Sequence, residues 1–338
     1  MKKKFIFKNI IITSKTIPES NWNELLQKSI YATYYQTKEY ANYRKIIFGH
    51  IPIFLRFLNS DNKIIGQLII YKNRFGLNYC KKIFGDGKFY SFYKNLAFPV
   101  NKIMWDYGPI IFEPKYENEI MYAFGRFLFS NKFKFHGNSH PLDGLKFSYK
   151  FGFNLKNSAT FLIDLNDELD IILSKTDKNS VRKNIKRAEE RELKIRQIKT
   201  EDDVLTHYKL LKEHRIRNHL IYPSKKGVLE NYVQGKNLGI TGFIAMFNEK
   251  PVASITISYF NGYIVEQGIS RSILDIEKKL YAQELLRWEV IKWGKQNNGR
   301  FYDFAGISPE KRTSKEEGIF RNKKKWGGKL VNYPIYWN

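Results

Sequence analysis

The chain has 338 residues, of which 43% are hydrophobic and 16% aromatic, so it can build packed cores and is not a disordered chain. At about 100 to 200 residues per domain, this length predicts two domains or one large one. Lys and Arg number 58 against 33 Asp and Glu, and the formal charge of +25 favours polyanionic partners. The single cysteine, Cys80, excludes an internal disulfide and fits a reducing cytosol.

The positive charge is spread over both halves of the chain. Residues 1–160 carry 25 basic and 10 acidic side chains, and residues 161–338 carry 33 and 23. The excess of positive charge has two alternative explanations. One is a surface that binds polyanions. The other is codon bias, because abundant Lys, Asn, Ile, Tyr and Phe is typical of AT-rich genes. No stretch approaches the ~20 apolar residues of a membrane-spanning helix. We therefore expect a cytoplasmic location, with peripheral contact at the inner membrane face as an alternative.

The first half alternates helix and strand patterns. It opens on a strand pattern, and apolar residues at helical spacing then predict helices at 22–26, 37–43 and 117–130. Two apolar runs at 51–58 and 63–71 flank a polar turn and predict a β-hairpin. Loops are predicted at 85–88, 95–99 and 106–109.

The second half repeats this order of elements. Strands are predicted at 161–165, 242–247, 252–260, 263–270 and 301–304. Helices are predicted at 180–191, 204–217 and 277–297. The repetition predicts an internal structural duplication of α/β or α+β type.

Motifs of several common enzyme classes are absent from the sequence. It contains no G-x-x-x-x-G-K-[ST], G-x-G-x-x-G, H-E-x-x-H or G-x-S-x-G, which counts against P-loop ATPases, dinucleotide-binding dehydrogenases, zincins and serine hydrolases. His214 and His219 are five residues apart and do not share a helix face, so no metal site is predicted. The D-F-A-G run at 303–306 resembles the kinase triplet only superficially.

Two basic segments are candidate sites. The predicted helix in KNSVRKNIKRAEERELKI brings Arg182, Lys186 and Arg187 within two turns, where they suit phosphate or RNA or form a solvated flank. Near the C-terminus, GIFRNKKKWGGKLVNYPIYW places three lysines before Trp326 and two glycines. A lysine held there can stabilise an oxyanion, and the alternative is a charged turn before the last strand.

Taken in order, several runs of the chain resemble the FemABX family of peptidoglycan interpeptide-bridge aminoacyltransferases. In the second half they match the family's basic helix, its E-T-x-x-R segment, its Y-x-x-G-A-S strand, its Y-D-F-G-G segment and its G-L-Y-R-F-K-x-x-F-G-G run. The matching stretches here are KNSVRKNIKRAEERELKI, 213–217, YIVEQGIS, LLRWEVIKWGKQNNGRFYDFAGIS and GIFRNKKKWGG. The first half matches more loosely, through YYQTKEYANYR and WDYGPII.

The resemblance implies two tandem GNAT-like domains, each a mixed, mostly antiparallel sheet flanked by helices. They would span 1–160 and 161–338, with the segment at about 325–338 packing back onto the first. Family members transfer an amino acid from aminoacyl-tRNA to an amine of a cell-wall precursor that carries a sugar, a pyrophosphate and a peptide. The expected partners are therefore a tRNA donor and a phosphorylated sugar-peptide or lipid-linked envelope precursor, with anionic membrane as a further peripheral contact.

Carried over by position, the resemblance also implies roles for five residues. Lys323 would stabilise the charge that develops in acyl transfer, Arg44 and Arg217 would hold precursor phosphate, and Tyr222 and Tyr263 would contact substrate. The chain departs from the family pattern at three positions, which leaves the exact precursor open: Asn322 for Phe, Tyr107 for Arg and Ala305 for Gly.

Two other functions stay open at this point. One is an N-acyltransferase that uses acyl-CoA on an amino sugar of a surface polysaccharide, although the segment 272–286 lacks the glycine typical of a pyrophosphate-binding turn. The other is a non-catalytic domain pair that binds RNA or anionic membrane through its basic surface. No cofactor is predicted, because the acyl donor is itself a co-substrate. No obligate protein partner is predicted either.

Overall fold

The computed structural model describes residues 4–74, 76, 92–93, 96–147, 151–310 and 313–338. The chain forms two compact units, which we call the N-terminal unit (Met1–Ser158 with Asn332–Asn338) and the C-terminal unit (Ala159–Val331). The chain passes from one unit to the other inside strand β8 (Asn154–Asp164) and again inside strand β14 (Lys329–Trp337). The loop predicted at 85–88 lies outside the described residues.

The sheet of the N-terminal unit is antiparallel except at one strand pair. Its strands run in the order β1-β2-β3-β4-β5-β7-β14, and the short β6 pairs with β4. β5 and β7 are parallel, from Lys102 opposite Lys134 to Trp105 opposite Gly137. The bounds are β1 Lys4–Phe7, β2 Ile10–Lys15, β3 Ile51–Leu58, β4 Ile64–Arg74, β5 Pro99–Trp105, β6 Ile110–Ile111 and β7 Lys134–Asn138.

Helices α1 (Trp22–Leu26), α2 (Lys38–Phe48) and α3 (Glu117–Ser130) accompany this sheet. The helices predicted at 22–26 and 117–130 are confirmed, whereas α2 continues beyond the predicted 43 until Gly49 ends it in the left-handed conformation. Phe124 of α3 packs edge-on against Phe57 and Trp105 of the sheet. The apolar stripe that predicted α3 therefore faces the core of this unit.

The C-terminal unit repeats this strand arrangement. Its sheet runs β8-β13-β12-β11-β10-β9, with β12 and β13 parallel and the other described neighbours antiparallel. In both units an antiparallel run leads to one parallel pair and then to a further antiparallel strand, as the predicted duplication requires. The bounds are β9 Lys194–Gln197, β10 Ile240–Phe247, β11 Lys250–Phe260, β12 Tyr263–Arg271 and β13 Phe301–Asp303.

The helices of the C-terminal unit differ from prediction in several places. The predicted helix 277–297 begins only at Ala282, as α9, because Lys279 and Tyr281 take positive φ and separate it from the short α8. Helices α4, α7, α8 and α10 were not predicted, and α10, which carries the lysine run, begins at a capping box between Thr313 and Glu316. The bounds are α4 Leu169–Ser174, α5 Lys183–Glu190 after a π-helical turn at Lys178–Arg182, α6 Glu201–Arg217, α7 Lys225–Gly235, α8 Ile273–Glu277, α9 Ala282–Gln296 and α10 Ser314–Lys324.

None of the helices in the described ranges combines the length and the hydropathy that crossing a bilayer requires.

Candidate active site

The parallel strands β12 and β13 separate at their carboxyl ends. They pair from Tyr263 opposite Phe301 to Val265 opposite Asp303, after which the chain leaves β12 and Ile307 bridges to Ala159. A bulge in β12 shifts its register against β11 at the same level. Parallel strands that part at their carboxyl ends commonly form a ligand crevice. The polar side chains around this opening form the candidate active site.

Lys323 reaches this opening from the last turn of α10. Its side chain is buried, and its Nζ donates to the carbonyl oxygens of Ala305 at 2.9 Å and Gly306 at 3.3 Å. Burial lowers the pKa of Lys323, and the positive charge of Arg287 lowers it further, against the attraction of Glu266 and Asp303. An ammonium group has three donors, so two carbonyl contacts leave one for another acceptor.

The two carbonyls belong to a turn that is fixed from several sides. Ala305 has a φ of 63°, a left-handed conformation that costs an alanine about 1 to 2 kcal/mol. Its N–H donates to Asp303 at 2.7 Å, and its carbonyl oxygen lies 3.0 Å from the Thr160 hydroxyl, which also contacts Asp303. These bonds hold the turn so that its carbonyl oxygens face Lys323.

Asp303 is a fully buried carboxyl group at the end of β13. It accepts a hydrogen bond from the Tyr263 hydroxyl at 2.8 Å and contacts Thr160. Burial raises the pKa of Asp303, and the hydrogen bonds from Thr160 and Tyr263 only partly offset this effect. Asp303 therefore positions the turn that binds Lys323.

A buried ion pair lies beside Lys323. Arg287 of α9 forms two hydrogen bonds to Glu266 of β12, at 2.9 and 2.8 Å, and Tyr302 donates to the same carboxylate at 2.5 Å. Burial raises the pKa of Glu266, but the charge of Arg287 and the hydrogen bonds from Arg287 and Tyr302 outweigh it, so the net shift is downward. Arg287 also donates to Asn322 at 2.6 Å, which connects α9 to the residue before Lys323.

Arg44 occupies a comparable place in the N-terminal unit. It is buried, and its Nη1 donates to Asp106, directly after β5, at 2.7 Å. Its Nε donates to His50 at 3.2 Å, and its guanidinium lies 4.5 Å from the centre of the Tyr71 ring. Burial lowers the pKa of Arg44, but the interactions with Tyr40, Asp106 and Tyr71 outweigh this effect, so the net shift of the pKa is upward. Burial, and to a lesser extent the positive charge of Arg44, lowers the pKa of His50 to about 3.

The other predicted substrate-binding residues lie in different surroundings. Arg217 ends α6, where it pairs with Glu213 at 3.0 Å and donates to the carbonyl of Arg271 at 2.6 Å. Tyr222 is exposed in the loop after α6, whereas Tyr263 is a core residue whose hydroxyl is bonded to Asp303. The structure thus brings Tyr263 and Lys323 into one cluster, and the substrate contacts assigned to these residues stay predictions.

The three basic residues proposed to bind phosphate or RNA lie in the π-helical turn before α5 and in α5 itself, and they differ in how firmly they are held. Lys186 is exposed and lies 3.8 Å from Glu190. Arg187 lies over the ring of Tyr281, 5.4 Å from its centre, and donates to its hydroxyl at 3.2 Å. The Nε of Arg182 is buried and has no hydrogen-bond partner in the described part of the chain. Phosphate binding by this segment stays a prediction. Over the same residues, no group of His, Cys, Asp and Glu is placed to hold a metal ion.

Glu266, Arg287 and Thr160 were not predicted from the sequence as site residues. Glu266 stands in the apolar strand YIVEQGIS, and Arg287 stands in the largely apolar segment LLRWEVI. Lone charges in such runs are almost never buried unless they are paired, so these two residues could have been predicted to form a buried ion pair. Thr160 carries no comparable pattern.

The sequence matches no family model and no curated protein. Solved structures do share the fold. The chain superposes on the crystal structure of FemX with a TM-score of 0.70 at 11% identity, over 95% of this chain and 96% of that one. L-PGS from Bacillus licheniformis gives 0.56 at 11% identity, over 95% and 91%. A tandem GNAT protein from the clavulanic acid biosynthesis pathway gives 0.51 at 7% identity, over 97% of each chain.

These superpositions, which cover nearly the whole chain, define the class of fold as tandem GNAT, a mixed and mostly antiparallel sheet flanked by helices. Within that class the fold is FemABX-like. The predicted fold class is confirmed. Identities of 7 to 11% establish the fold alone.

Proposed function

We propose that the protein is an acyltransferase that moves an amino acid from aminoacyl-tRNA to an amine of a peptidoglycan-type cell-envelope precursor. The observation that carries this proposal is Lys323, a buried ammonium group held by two neutral carbonyl oxygens where β12 and β13 part. The FemABX-like fold supports the reaction class, and the motif resemblance supports the donor and the acceptor.

The proposed reaction needs positioning and charge stabilisation more than a nucleophilic side chain. The acceptor amine attacks the carbonyl carbon of the aminoacyl ester, a C–N bond forms, and negative charge develops on the carbonyl oxygen. The C–O bond to the ribose then breaks, and the proton lost by the amine ends on the ribose hydroxyl. The third donor of Lys323 stabilises the oxyanion, which is where a fixed donor contributes most. Thr160 and Asp303 act as positioning residues because they fix the turn that orients Lys323.

The N-terminus of α9 favours tRNA over coenzyme A as the donor. Phosphate groups bind at helix N-termini through free N–H groups and the helix dipole. Here the Ala282 N–H donates to the buried carboxylate of Asp275 at 3.1 Å, and Glu284 lies in the same first turn. The carboxylate of Asp275 already binds this N–H group, so the group is not free for a coenzyme A pyrophosphate.

The test is a transfer assay on the full chain. Aminoacyl-tRNA and, separately, acetyl-CoA are offered with a peptidoglycan precursor or an amino sugar, and products are identified by mass. We expect product from aminoacyl-tRNA with the peptidoglycan precursor. Lys323→Ala should lower the rate by about 10²–10³-fold, the loss typical of one oxyanion donor.

Lys324→Ala is the matched control, because the neighbouring lysine is exposed and should transfer at the wild-type rate. Wild-type transfer by Lys323→Ala would refute the catalytic role. Product from acetyl-CoA alone would instead favour the acyl-CoA enzyme.

A further inference from the structure

Four exposed isoleucines lie at one end of the C-terminal unit, and we call them the isoleucine surface: Ile216, Ile221, Ile273 and Ile276. Ile221, in the loop after α6, is 92% exposed, and Ile216, in the last turn of α6, is 53% exposed. Single exposed apolar residues are common, but a group of them with a polar border marks an interaction site.

Hydrogen bonds join the two helices that carry three of these isoleucines. The Ile273 N–H, at the start of α8, donates to Glu213 of α6 at 2.8 Å. Arg217 of α6 donates to the carbonyl of Arg271 at 2.6 Å. The end of α6 therefore contacts the start of α8, and Ile216 lies between Glu213 and Arg217 in sequence. The chain then continues directly into the loop that carries Ile221.

Lysines border the isoleucine surface. They are exposed at the end of α6, at the start of α7 and just after α8: Lys212, Lys225, Lys226, Lys278 and Lys279. Of the nearby acidic residues, Glu213 is paired with Arg217 and Asp275 is buried against Arg271, whereas Glu277 is exposed beside Ile276. Five exposed lysines against one exposed, unpaired glutamate leave the border of the surface basic on balance.

We propose that the isoleucine surface docks the protein on the headgroup region of an anionic bilayer. Exposed aliphatic side chains with surrounding lysines are the composition of peripheral membrane surfaces, in which apolar burial and attraction to anionic lipid add together. Aliphatic side chains cannot stack on bases, which argues against RNA as the occupant. Lysine is depleted in protein–protein interfaces, which argues against a protein partner. Docking is independent of transfer activity and is tested without it.

The experiment is co-sedimentation of the full chain with phosphatidylcholine vesicles, with and without phosphatidylglycerol. We expect binding only to the vesicles that contain phosphatidylglycerol. Ile216→Ser/Ile221→Ser should weaken binding by at least about tenfold. Lys278→Gln and Lys279→Gln should each weaken it about fivefold. Ile17→Ser is the matched control, since Ile17 is 76% exposed in the N-terminal unit, and it should bind like wild type.

Three results would overturn the proposal: equal binding to neutral and anionic vesicles, wild-type binding by Ile216→Ser/Ile221→Ser, or tRNA binding without vesicle binding. Thermal unfolding of each variant shows that lost binding is not lost folding, because solvent-exposed isoleucines contribute little to the core. Failure of docking leaves the transfer assay unaffected, so the two proposals are tested separately.

Discussion

Each unit holds a buried basic side chain near the carboxyl end of its parallel strand pair, but the two are neutralised in different ways. Arg44 contacts the carboxylate of Asp106 and the ring of Tyr71. Lys323 contacts two neutral carbonyl oxygens, while the nearby carboxylate of Glu266 is bonded to Arg287. Arg44 is therefore a satisfied ion pair, whereas Lys323 keeps a charge that a transient anion can use.

The largest effect is expected when the buried ion pair between Arg287 and Glu266, beside Lys323, is broken. Arg287→Met leaves a buried carboxylate without its partner, and we expect the free energy of unfolding to fall by about 3 to 5 kcal/mol. Urea unfolding measures this. Glu266→Gln/Arg287→Met removes both charges and should recover much of the loss. Equal losses in the single and double variants would show that packing, not charge, stabilises this region.

A smaller loss is expected in the N-terminal unit. Asp106→Asn removes the carboxylate that faces Arg44 while His50 and Tyr71 stay in contact. We expect the free energy of unfolding to fall by about 1.5 to 3 kcal/mol, the range for a hydrogen bond to a charged group. The control is Glu113→Gln, which breaks the exposed pair with Lys63 and should change stability far less. Similar losses in the two variants would remove the distinction between a buried and an exposed pair.

The direct comparison is Lys323→Met against Arg44→Met. Among the described residues no carboxylate contacts the buried Lys323, so its replacement should leave the free energy of unfolding unchanged or raise it by up to about 1 kcal/mol, while the transfer rate falls. Arg44→Met should destabilise the protein, because Asp106 loses its partner. If Lys323→Met destabilises as much as Arg44→Met, the ammonium group is structural.

The smallest effect is a pH dependence. Burial holds the pKa of Lys323 below the ordinary value of 10.5, which applies in the unfolded chain. Between the folded and the unfolded pKa, the unfolded chain binds more protons than the folded protein, so stability rises with pH in this range. Below the folded pKa, both states carry the proton and the full cost of burying the charge is present. Any stability advantage of Lys323→Met should therefore shrink as pH rises towards 10.5.

Urea unfolding at a series of pH values measures this change, with the exposed Lys324→Met as control. Identical pH profiles for the two variants would rule out a buried charge at Lys323. The transfer rate should also fall as pH rises through the folded pKa of Lys323, because the neutral amine stabilises an oxyanion less.

Local patterns predicted most of the fold. The apolar stripe of α3 and the alternation in the β3–β4 and β10–β11 hairpins depend on near neighbours in sequence, and they lie close to where they were expected. Helix α10 was missed because Gly318 and a mostly polar sequence give it a weak helix pattern, whereas the capping box between Thr313 and Glu316 stabilises its start. The break between α8 and α9 rests on Asp275, which binds the N–H of Ala282 seven residues later.

Periodicity along the chain predicted the duplication and the strand order within each hairpin, and the resemblance to the FemABX family directed attention to Lys323. The residues that surround this lysine come together only in the folded chain. Thr160, Glu266, Arg287 and Asp303 come from four separate elements. Their hydrogen bonds join residues that are 21 positions apart, as in Arg287 and Glu266, or 143 apart, as in Thr160 and Asp303, and such pairs have no periodic trace in sequence. The pKa of Lys323 is lowered by burial and by Arg287, and both depend on three-dimensional packing.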